Sequence, residues 1–119
     1  MGAFEVDYFE KSDGTYPAEE FILAQDVKMQ AKLFRLISLL EDFGNDLRKP
    51  YSELLGEGIF EIRAKQGSDI TRVLYFFMAG KKIILTNGFV KKTQKTPPGE
   101  IAIAKKYRAE HMERSNQSE

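Results

Sequence analysis

Residues 58–90 constrain this chain more tightly than any other part of it. Three runs of strand length follow one another there, 58–65, 70–78 and 82–90. Ala79-Gly80-Lys81 separates the last two at hairpin spacing, and Gln66-Gly67-Ser68-Asp69 separates the first two more loosely. The run 70–78 is apolar at both alternating positions except at Arg72, the pattern of a central strand covered on both faces. An antiparallel three-stranded meander is therefore expected, with the rest of the chain packed against it.

The flanking segments supply the packing layers. Phe4 to Tyr8 alternates apolar and acidic residues and predicts a strand with one buried face, ended by the turn signal Ser12-Asp13-Gly14. Pro17 at a first helical position, followed by Glu19 and Glu20, predicts a helix start. Asp26 is suited to cap a second, longer helix that stops at Gly44. Its apolar stripe is Val27, Met29, Leu33, Phe34, Leu36, Ile37 and Leu40, and Lys28, Lys32 and Arg35 read as a solvated face. Residues 45–58, with Pro50 and two glycines, read as a connector. Thr96-Pro97-Pro98-Gly99-Glu100 opens a final helix, whose polar tail from Glu113 is expected to fray. The expected fold is one α+β domain over residues 1–119, ordered strand, two helices, three-stranded antiparallel meander, C-terminal helix.

Several chemistries are excluded or made improbable by residue type alone. With no cysteine, a thiolate nucleophile or cysteine-based metal site is impossible. The single histidine, His111, lies near the end and makes a histidine triad a poor reading. The carboxylates look scattered, so no metal and no cofactor is expected. No glycine-rich phosphate loop is present. Without a signal-peptide pattern or a long apolar run, the expected location is the cytoplasm, away from membrane.

Charge is the remaining clue. The net charge is zero, yet residues 1–60 hold twelve acidic and six basic side chains and residues 61–119 hold six and twelve. Arg63 and Arg72 flank the looser turn and become neighbours if their strands pair. Lys91, Lys92 and Lys95 follow the last strand and converge on the same end of the sheet. Such a group suits metal-free RNA cleavage, in which a 2′-hydroxyl attacks the adjacent phosphate and charge grows on its oxygens. Arginine can clamp those oxygens with two parallel hydrogen bonds. A lysine crowded by cations can exchange a proton near neutral pH. The competing reading is a set of solvated strand-end charges.

Two stretches carry a family resemblance. Residues 54–63, Leu-Leu-Gly-Glu-Gly-Ile-Phe-Glu-Ile-Arg, followed by 71–77, Thr-Arg-Val-Leu-Tyr-Phe-Phe, resemble the core of the RelE/ParE toxin superfamily. Residues 87–97, Asn-Gly-Phe-Val-Lys-Lys-Thr-Gln-Lys-Thr-Pro, with Glu100-Ile101-Ala102-Ile103-Ala104, resemble its HigB-like, phage-derived branch. The resemblance covers residues 4–110 and implies a RelE-like fold. It implies a toxin of a type II toxin–antitoxin system, an endoribonuclease that cuts mRNA on translating ribosomes. Its partners would be mRNA, the ribosome and a cognate antitoxin of helix-turn-helix type. By position, Arg63, Arg72, Lys91 and Lys92 become the catalytic cations, with Lys65 and Lys95 as RNA-binding neighbours. Some relatives use a C-terminal tyrosine or histidine, for which Tyr107 and His111 are weak substitutes, so proton transfer is left to the lysines. Two alternatives stand beside this reading: a ParE-like inhibitor that binds DNA gyrase, and an inactive binding module.

Overall fold

The strand pattern of residues 58–90 produces β3 (Ile59–Gln66), β4 (Asp69–Met78) and β5 (Lys82–Lys91), paired antiparallel in succession once the flanking elements β1 (Glu5–Tyr8) and β2 (Ser52–Gly56) are counted in chain order. The structure is a computed structural model that describes residues 2–91 and 95–117, with backbone only at Lys91 and Gln117. The sheet has five strands in the order β1-β5-β4-β3-β2, and β4 is the central one. Its doubly apolar sequence is thus matched by cover on both faces. β1 joins the β5 edge in parallel, with Val6 beside Ile83.

β2 corrects the expectation of a plain connector over residues 45–58. Ser-Glu-Leu-Leu-Gly has neither the β-branched residues nor the length of a clear strand signal. It pairs because the turn at Glu57-Gly58 folds it back onto β3, with Leu54 opposite Phe60. Glu57 has φ 50° and Gly58 has φ 80°, a left-handed pair that the second glycine makes inexpensive. The meander therefore has four antiparallel strands instead of three.

Helices α1 (Pro17–Leu23) and α2 (Val27–Phe43) cover one face, and α3 (Pro98–Gln117) covers the other. The Asp26 carboxylate accepts a hydrogen bond from the Met29 amide at 2.8 Å and caps α2, a contact typically worth about 1 kcal/mol. Met29, Leu33, Leu36 and Leu40 are buried, whereas Val27, counted in the expected stripe, is 81% exposed because it is the first residue of the helix. α1 lies so close to β5 that a Cβ on Gly88 would overlap the Phe21 ring. The first core joins Ile62, Val73, Tyr75, Ile83 and Leu85 to α1 and α2. The second joins Phe9, Ile59, Leu74, Phe76 and Ile84 to Ala104 of α3.

The tail expected to fray from Glu113 is helical to Gln117. Tyr107 stacks on Phe9 at 4.6 Å and the Arg114 guanidinium sits 5.6 Å from the same ring, contacts that hold the second half of α3 against the residue that follows β1. Among the described residues, no helix is long and apolar enough to cross a membrane.

Tyr75 gives the fold a testable alkaline limit. Its hydroxyl lies 2.5 Å from Ser52 Oγ within the first core. Burial pushes the phenol from its ordinary 10.0 up to about 12, with the Ser52 hydrogen bond pulling down and Glu61 pushing further up. A folded pKa above the unfolded one favours the protonated fold. That stability is complete below pH 10 and is lost as pH rises through about 12, a total of about 3 kcal/mol. Urea unfolding of wild type and Tyr75→Phe across that window should show the steeper alkaline loss in wild type alone.

Candidate functional site

Strand register decides which cations meet. Arg63 and Arg72 are direct cross-strand partners, and Arg72 in turn lies opposite Phe89. Two rows further on, and so next on the same sheet face, Ile70 lies between Lys65 and Lys91. The end of β3, the start of β4 and the end of β5 thus share one end of the sheet. Period-two alternation sets Arg63, Lys65 and Arg72 on the same sheet face as Glu61, the face that α3 covers. Lys92 lies outside the described residues. Lys95 is exposed just before Thr96.

The two arginines are neither bare nor alike. Arg63 Nε donates to Glu61 Oε2 at 2.5 Å, and its Nη2 lies 2.6 Å from Glu53 Oε1. Its side chain keeps 23% exposure. Arg72 is fully buried, and its Nη1 donates to Thr96 Oγ1 at 2.9 Å. The Thr96 hydroxyl donates onward to Glu61 Oε1. Glu61, itself fully buried, therefore binds Arg63 directly and Arg72 through Thr96. Burial pulls the Arg72 guanidinium below its ordinary value and Arg63 adds to this, while Glu61 and Glu53 oppose it. A guanidinium starts so high that it stays charged nonetheless.

Both sequence readings of these cations, catalytic or solvated, assume side chains open to solvent. Arg72 is the exception, because the central strand and Thr96 enclose it. Glu53 and Glu61 are the residues that sequence reasoning missed. Glu61 was legible, standing two residues before Arg63 on the same face of a strand. Glu53 was not, because β2 itself was not recognised.

The start of α3 is fixed to β5 by Asn87, whose Nδ2 donates to the Glu100 carbonyl at 3.3 Å and to its carboxylate at 3.1 Å. From there α3 runs away from the arginines. His111 lies edge-on to Phe76 at 5.9 Å and to Phe9 at 6.4 Å, and Phe76 is four residues, about 13 Å, along β4 from Arg72. Burial pulls the imidazole below its ordinary value, with Arg114 and Lys82 adding to this and Asp7 opposing it. Tyr107 is stacked on Phe9. Neither residue stands beside the arginine pair. Among the described residues no group of three or more histidine or carboxylate side chains is arranged to hold a metal ion.

Residues 20–109 match the family model described as phage derived protein Gp49-like (DUF891). The chain belongs to this Gp49-like family. It is a family of RelE-like toxins of toxin–antitoxin systems. No curated protein matches the chain. The Gp49-like region begins inside α1 and ends inside α3, so it contains Glu53, Glu61, Arg63, Arg72 and Thr96 in full. β1 and His111 lie outside it.

Proposed function

We propose that this Gp49-like chain is the toxin of a type II toxin–antitoxin system, a HigB-like endoribonuclease of RelE-like fold that cuts mRNA on the translating ribosome. The observation that carries the reading is the Arg63–Arg72 pair in cross-strand register, with Lys65 and Lys91 two rows further along the sheet. In this mechanism the substrate 2′-oxygen bonds to the neighbouring phosphorus as the bond to the 5′-oxygen breaks. The products are a 2′,3′-cyclic phosphate and a 5′-hydroxyl. One proton leaves the 2′-hydroxyl and one reaches the 5′-oxygen.

Arg63, the partly exposed arginine, meets the non-bridging oxygens by exchanging its outer partner Glu53 for phosphate. Arg72 acts as a positioning residue, holding Thr96 and, through it, Glu61 against Arg63. Lys65, Lys91, Lys92 and Lys95 supply charge along the RNA and are the groups assigned to proton exchange. The neutralising partner is an antitoxin of helix-turn-helix type, and the expected setting is the cytoplasm.

Primer extension on an mRNA in a reconstituted translation reaction tests the proposal. Cuts that need wild-type protein and active ribosomes, and that fade with Arg63→Ala, support it. Intact transcripts together with stoichiometric inhibition of gyrase supercoiling would replace it with the ParE-like alternative.

A further inference from the structure

β3 outlasts its edge partner. β2 begins at Ser52, opposite Ile62, so residues 64–66 of β3 have no β2 neighbour. The open edge borders a cleft of about 190 Å³ between β3 and α2. Leu36, Leu39 and Ala64 form an apolar floor, and the Tyr51 ring flanks it with 48% of the residue exposed. Lys32 and Arg35 of α2 and the β3 edge at Arg63 and Lys65, whose side chains turn to the other sheet face, make up the rest of the lining, and no lining residue is acidic.

Two backbone contacts hold this arrangement. The Arg63 amide donates to the Tyr51 carbonyl at 3.0 Å, which ties the Tyr51 backbone to β3. Lys32 Nζ donates to the Lys65 carbonyl at 2.6 Å across the open edge. An apolar floor beside an exposed aromatic ring, bordered by the α2 cations Lys32 and Arg35, matches the alternation of base and phosphate in a single strand. An acidic peptide would use the cations and leave floor and ring without a role. Arg63 borders this cleft along the open β3 edge while its guanidinium turns to Glu61 on the other sheet face, so the edge itself joins the two.

The geometry points to a nucleotide-binding subsite: one base of single-stranded RNA stacks on Tyr51, and the phosphates beside it lie on Arg35 and Lys32. The subsite holds the strand next to the phosphate that Arg63 meets, and in this it rests on the endoribonuclease reading. The α2 cations Lys32 and Arg35 then form a working surface and not merely a solvated helix face. Single-stranded RNA, threaded between α2 and the β3 edge, is the ligand.

Fluorescence anisotropy of the full chain with a labelled single-stranded RNA octamer tests this at several salt concentrations. Wild type should bind with a marked salt dependence. Tyr51→Ala should weaken binding at least about five-fold and Tyr51→Phe should remain within about two-fold of wild type. Arg35→Gln should lower the salt slope by about one counterion. No binding by wild type at low salt, or equal binding by wild type, Tyr51→Ala and Arg35→Gln, would overturn the subsite. Tyr51-dependent binding of poly-glutamate with Tyr51-independent binding of RNA would also overturn it, in favour of a protein partner. Cleavage on ribosomes is read separately, so an intact transcript counts against the enzyme and not against the groove.

Discussion

Glu61→Ala is expected to destabilise the fold by about 3–5 kcal/mol, the range for removing one partner of a buried ion pair. The Glu61 carboxylate has no solvent exposure and serves Arg63 at 2.5 Å and Thr96 at once. Without it the guanidinium of Arg72, equally buried, loses its nearest relayed negative charge and Thr96 loses its acceptor. Urea denaturation should show a lower midpoint with an unchanged slope. Replacing Glu61 by Leu and Arg72 by Met together should recover most of the loss, because a well-packed apolar pair removes both desolvation costs. A loss below about 1 kcal/mol for Glu61→Ala would show that the cluster is not held through this carboxylate.

Arg63→Ala is the second large effect, and its signature is lost activity in protein that is still folded. The partly exposed Arg63–Glu53 pair contributes modestly to folding, whereas the contact to buried Glu61 contributes more, so the rate is compared at a temperature where the variant is shown to be folded. Losing a charged donor at the reacting phosphate typically costs about a hundred- to a thousand-fold in rate. A primer-extension time course with translating ribosomes should show that drop, and Arg63→Lys should recover only part of it, since an ammonium cannot form the two-pronged contact. A folded Arg63→Ala protein that cuts at the wild-type rate would remove Arg63 from the site. Arg72→Ala is a poorer probe. It empties a buried volume and strands Glu61, so lost activity would follow from lost structure.

Much of the architecture was legible in local sequence. Pro17, Asp26 and Gly44 mark helix ends by backbone chemistry that needs no distant partner, and all three act there. The doubly apolar run 70–78 predicted a central strand, and β4 is central. The edges were less legible. β2 depends on its pairing with β3, and the last turns of α3 depend on the Phe9 ring more than on their own polar residues. Each is stabilised by contacts remote in sequence, which a local pattern does not carry.

The site divides in the same way. Sequence alone determined that Arg63, Arg72, Lys65 and Lys91 would gather at one sheet end, because strand order and turn length settle register, and register settles neighbours. Tertiary structure alone decided that Arg72 is enclosed, that Glu61 holds both arginines with the help of Thr96, and that His111 lies away from them. Burial and counter-charge depend on which element covers a residue. For Arg72 that cover comes from Thr96, twenty-four residues along the chain, and no local periodicity records it.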